Sequence, residues 1–109
     1  MTILLPEPIA GYFAADNQFT PQSLERFFMP DAIVHDEGKS YRGLAAITEW
    51  RRAAKGKYQY TVEPLHFTQQ DQVISLVARV AGNFPGSPVE LTYTFGLSDG
   101  KIANLEIRL

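Results

Sequence analysis

Asp99-Gly100 stands between two stretches in which apolar residues recur at every second position. On one side Leu91, Tyr93, Phe95 and Leu97 alternate with Glu90, Thr92, Thr94 and Ser98. On the other, Ala103, Leu105, Ile107 and Leu109 alternate with Asn104, Glu106 and Arg108. A period of two belongs to a strand, whose successive side chains point to opposite faces. Asp-Gly accepts the positive φ angles that a two-residue hairpin turn demands. The chain is therefore expected to end in a hairpin, residues 89–98 and 101–109, with one greasy face and one polar face. The greasy face must be covered, and the first half of the chain supplies the cover.

Ile9, Tyr12 and Phe13 fall at i, i+3 and i+4, which predicts a first helix over residues 8–16. Thr20-Pro21 reads as a helix start, a capping hydroxyl followed by proline at the first helical position. Leu24, Phe27 and Phe28 give this second helix an apolar stripe, and Pro30 stops it. A short strand over 32–36 follows, carrying Ile33 and Val34, and Gly38 turns the chain. Tyr41-Arg42-Gly43 leads into a third helix with Leu44, Ile47 and Trp50 inward, Arg51, Arg52 and Lys55 facing water, and Gly56 at its end. Residues 57–68 and 72–83 read as further strands, with Pro64 marking a bulge or an edge. Helices first and strands later make one α+β domain of the 109 residues.

Composition removes several functions. The net charge is −2 with 20% charged residues, so there is no basic face for nucleic acid. With no cysteine, disulfides, a thiolate nucleophile and thiolate metal sites are excluded. No stretch reaches the roughly 18–20 apolar residues of a membrane span. The start of the chain lacks the charged and apolar regions of a signal peptide, so a cytoplasmic location is expected. Gly-x-Ser-x-Gly and phosphate-cradling glycine loops are absent.

Three segments carry a resemblance. Pro30-Asp31-Ala32-Ile33-Val34-His35-Asp36, Tyr41-Arg42-Gly43-Leu44-Ala45-Ala46-Ile47 and Asp99-Gly100-Lys101-Ile102-Ala103-Asn104-Leu105 are similar, in order and spacing, to segments of the nuclear transport factor 2-like superfamily. Within it the chain resembles the polyketide-cyclase-like (SnoaL-like) and ketosteroid-isomerase-like branch. The resemblance covers nearly the whole chain. It implies a cone of three N-terminal helices packed on a curved, mainly antiparallel sheet, enclosing an apolar pocket. It also implies a homodimer joined through the polar sheet face of Thr92, Thr94, Asn104, Glu106 and Arg108. In the steroid isomerases the general base lies at the position of Asp36 and the oxyanion tyrosine at that of Tyr12. A second oxyanion acid lies where this chain has Tyr93, a departure that speaks against steroid isomerisation itself.

Two readings stand for each candidate residue. Asp36 is either the base of a proton transfer next to a carbonyl or a turn residue bonded to nearby backbone. Tyr12 either donates to an oxyanion or packs its ring in the core. Tyr93, Trp50, Phe95 and Leu105 are expected on the pocket wall, with Trp50 equally able to fill core. His66 faces either the pocket or its rim. His35 points opposite to Asp36, so the two are poor partners. Two histidines 31 positions apart make no metal-ligand spacing, and no metal or other cofactor is expected. Arg79 either binds a substrate carboxylate or pairs across the sheet with Glu90 or Glu106. The expected ligand is a small hydrophobic carbonyl compound, used by a cofactor-free isomerase, cyclase or dehydratase; the alternative is a domain that binds without catalysis.

Overall fold

The computed structural model describes residues 5–18 and 21–109, with 21–23 described in their backbone alone. Strand β5 (Val89–Ser98) and strand β6 (Lys101–Arg108) meet at the turn expected from the sequence. Asp99 has φ 53° and Gly100 φ 76°, both left-handed, the geometry that matches the twist of the flanking strands. A second turn of this kind, Glu37 at φ 54° and Gly38 at φ 76°, joins β1 (Phe28–Asp36) to β2 (Lys39–Arg42). Strands β3 (Tyr60–Gln70) and β4 (Val73–Gly82) complete one sheet in the order β2-β1-β6-β5-β4-β3. The sheet is mixed: β1 runs parallel to β6, and the other four pairings are antiparallel.

Among the described residues two α-helices cover the inner face, α1 (Glu7–Gln18) and α2 (Leu44–Lys57), and not the three expected. The proposed second helix is a six-residue 3-10 turn, Pro21–Arg26, and its Thr20 cap lies outside the described residues. Phe27 and Phe28 leave the helical path because the sheet claims them. Ile102 N–H donates to the Phe27 carbonyl at 2.7 Å, and Phe28, fully buried, lies opposite Ile102. Pro30, expected to stop a helix, sits inside β1 instead. It falls in the stretch where the β1–β6 register slips, a place where a missing donor does little harm. Gly56 lies inside α2, one residue before its end.

Bulges re-aim the inner faces. Leu65 is extra between Pro64 and His66, so the proline does mark a bulge, and β3 is an edge strand. Ala103 is likewise extra, and the inward position expected for it passes to Ile102. Ile9, Tyr12 and Phe13 of α1 and Ile47 and Trp50 of α2 are buried against the sheet. Each large apolar side chain so buried contributes roughly 1.5–3 kcal/mol. Asn17, at the end of α1, fastens the helix to the edge of the sheet: its Nδ2 donates to the Val62 carbonyl at 2.9 Å and its Oδ1 accepts from Val62 N–H at 2.8 Å. No helix among the described residues is long and apolar enough to cross a membrane.

Candidate active site

Cross-strand register lines up the candidate residues. Asp36 lies opposite Ile107, Ile107 opposite Tyr93, and Tyr93 opposite Leu76. Directly paired residues share a face, so these four form one row across the inner surface. The adjacent row, Val34, Leu105, Phe95 and Ile74, is fully buried and forms the floor. Tyr12 closes over that floor, with its ring edge-to-face with Phe13, Phe28 and Phe95 at centroid distances of 5.1, 5.8 and 5.9 Å. Phe13 bridges to Tyr93 at 5.2 Å. The deep end of the fold is therefore packed with aromatic rings.

Asp36 lies at the rim. It is half-buried, at the last position of β1, and it borders a surface recess of about 390 Å³ beside Glu106 and Ile107. The indole Nε1 of Trp50 donates to its Oδ2 at 3.0 Å. Trp50 is held in turn by a stacked Tyr41 at 5.9 Å. The carboxylate is thus gripped on one oxygen by a buried donor from α2. His35, its chain neighbour, is exposed on the opposite face with Nδ1 2.9 Å from Ser40 Oγ.

The remaining candidates separate. Tyr93, Phe95, Leu105 and Trp50 are inner residues. His66 is exposed and paired with Val77 on the outer face, because the Leu65 bulge shifts the strand by one residue. Arg79 is exposed on the outer face as well, opposite Glu63 on one side and Glu90 on the other. That is the cross-sheet position expected for it, away from the inner row.

Sequence reasoning placed Arg51 in water, and the structure corrects this. Arg51 is 7% exposed, with Nη1 3.1 Å from Oδ1 of the equally buried Asp16 and 2.8 Å from the Tyr60 hydroxyl. Tyr60 Oη lies 3.4 Å from the same carboxylate oxygen. Lys55 Nζ lies 3.5 Å from the centre of the Tyr60 ring and donates to the Tyr60 carbonyl at 2.7 Å. The signal was present. Asp16 falls at i+3 and i+4 from Phe13 and Tyr12, and Arg51 at i+4 from Ile47, so each helix carries one ionic residue on its apolar stripe.

Burial pushes the phenols of Tyr12, Tyr60 and Tyr93 well above the usual tyrosine range, and in each case the Arg51 guanidinium pulls back. Asp16 reinforces the rise in all three, and Asp36 adds to it at Tyr93. Burial opposes charge on Arg51, yet its neighbours hold it protonated more firmly than usual. The phenols are un-ionised at neutral pH, so Asp16 is the countercharge. Tyr93 thus feels the charges of both the Arg51–Asp16 pair and Asp36.

The chain has clear relatives. A family model for the SnoaL-like domain matches residues 9–105, and the chain belongs to that family. The chain is 45% identical to a candidate polyketide cyclase from Sinorhizobium meliloti, over 95% of each chain with a TM-score of 0.92. A ketosteroid isomerase-like protein from Catenulispora acidiphila, solved in complex with trimethylamine, shares 17% identity and a TM-score of 0.87 over 97% of this chain and 87% of that one. A nuclear transport factor 2-like protein of unknown function from Cytophaga hutchinsonii shares 11% identity and a TM-score of 0.78 over 98% and 90%. No curated protein matches the chain.

Proposed function

We propose that the inner face binds a small hydrophobic carbonyl compound and that Asp36 transfers a proton at the carbon next to the carbonyl. The observation that carries this reading is the Trp50–Asp36 hydrogen bond, which fixes a carboxylate at the rim end of the row containing Tyr93. In the forward step the C–H bond breaks and its proton passes to the free oxygen of Asp36. The electron pair moves into the carbonyl, whose oxygen becomes an enolate and is stabilised by the Tyr12 hydroxyl. Return of the proton to another atom completes an isomerisation; attack of the enolate carbon on a second carbonyl, whose oxygen becomes an alkoxide and takes the proton back from Asp36, completes a cyclisation. Neither step draws on a cofactor. The likeness to a candidate polyketide cyclase supports a substrate with several carbonyls.

The test is turnover of Asp36→Asn against the unaltered chain on a substrate found by screening polyketide-like carbonyl compounds. A fall of about 10²-fold or more is expected when a general base is removed. Unchanged turnover removes Asp36 from the mechanism. The ring packing around Tyr12 favours a second reading, a domain that binds its ligand without catalysis. In that case ligand binding persists while no substrate turns over.

The same proposal includes a homodimer through the outer face. Thr92 lies opposite Arg108 and Thr94 opposite Glu106 there, a polar surface suited to a wet interface. Sedimentation that finds monomer alone at micromolar concentration contradicts it.

A further inference from the structure

Trp50 and Arg51 are chain neighbours in α2, and successive residues of a helix do not ordinarily face each other. Here the Arg51 guanidinium carbon lies 3.6 Å from the centre of the Trp50 ring. The side chain is turned over its neighbour and held from outside α2. Its Nη1 is 3.1 Å from Oδ1 of Asp16 on α1 and 2.8 Å from the Tyr60 hydroxyl on β3. Its Nε is buried and finds no hydrogen-bond partner among the described residues. Arginine thus leaves a donor unmatched while it covers an aromatic face, so pairing with Asp16 does not alone account for the pose.

A buried ion pair is a weak source of stability, because desolvation offsets most of the attraction. Its place in the fold gives this one another use. Contacts run from Asp16 and Tyr60 through Arg51 to the Trp50 ring, and from the indole Nε1 to Oδ2 of Asp36 at 3.0 Å. Tyr41 stacks on the same ring. A cation against an indole face is attracted to the π-electrons and pins the ring. It also draws electron density from the ring, which makes the N–H at its edge a stronger donor.

We propose that Arg51 is a positioning residue for Asp36: its guanidinium, fixed by Asp16 and Tyr60, clamps the Trp50 indole, and the indole fixes the carboxylate at the rim. This deepens the reading of Asp36 as a base and rests on it for its use in the reaction. The clamp itself belongs to the folded chain and is open to test without a substrate.

The experiment is proton–nitrogen correlation NMR, in which the single tryptophan gives one indole N–H signal. Exchange of that proton with D₂O is timed in the unaltered chain, in Arg51→Lys, and in the double variant Asp16→Leu with Arg51→Leu. The double variant strands no charge. Arg51→Lys keeps a cation for Asp16 but lacks the planar group that lies flat on a ring. Indole exchange is expected to be about tenfold faster in the double variant and about threefold faster in Arg51→Lys. The backbone amides of Phe95 and Leu105 are expected to keep their unaltered rates. Indole exchange at the unaltered rate in both variants overturns the clamp. So does an acceleration shared equally by the Phe95 and Leu105 amides, which marks a merely structural Arg51. If the double variant does not fold, Arg51→Lys decides alone. A second readout is exchange of the α-methyl protons of the ketone 2-acetonaphthone, where kcat is expected to fall about tenfold in the double variant with KM unchanged. An unchanged kcat overturns the positioning role. An unaltered chain that catalyses no exchange overturns the proposed function and the positioning role with it, while the indole signal still decides the clamp.

Discussion

The indole of Trp50 reaches across from α2 and donates to Asp36 at 3.0 Å, joining the helix layer to the last residue of β1. Asparagine at position 36 keeps an oxygen in the same place to accept that bond. Exchanging a charged for a neutral acceptor weakens it, and the expected loss of stability is about 1 kcal/mol. Urea unfolding followed by the fluorescence of Trp50, the single tryptophan, measures this. A loss of several kcal/mol contradicts the geometry described.

The buried Asp16–Arg51 pair predicts strong non-additivity. Arg51→Leu leaves a buried carboxylate without its cation, Asp16→Leu leaves a buried cation without its carboxylate, and each is expected to destabilise the fold by about 3–5 kcal/mol. Replacing both residues by leucine removes the stranded charge and is expected to cost less than either single change. Denaturant titration of the three variants provides the cycle. Additive losses contradict the pairing.

Tyr12, Tyr60 and Tyr93 all have phenols pushed above the ordinary value of 10.0 in the folded chain, chiefly by burial. The unfolded chain therefore releases these protons first as pH rises. Their contribution is intact below pH 10, and stability is lost progressively above it. Urea unfolding at pH 8 to 11.5 is expected to show this fall, and Tyr93→Phe is expected to flatten it. A slope unaffected by that substitution contradicts the assignment.

Strand parity and turn chemistry made the C-terminal half legible. The alternation around Asp99-Gly100 identified the inner residues Tyr93, Phe95, Leu105 and Ile107, and all four are buried. Phe27-Phe28 was not legible, because an apolar stripe at helical spacing is also what a buried strand needs, and only the distant pairing with Ile102 decides between them. His66 was undetermined for a similar reason: a single bulged residue at Leu65 decides which face it takes. Arg51 was misplaced, and Asp16 was not singled out, because single-helix patterning assigns ionic residues to water. Their burial depends on two helices bringing opposite charges to one point.

The central claim is that Asp36 moves a proton at carbon. Exchange of the α-methyl protons of 2-acetonaphthone in D₂O, followed by proton NMR, tests it without knowledge of the natural substrate. The account predicts exchange faster than in buffer alone, falling by about 10²-fold or more in Asp36→Asn. Exchange at the same rate in both proteins contradicts it.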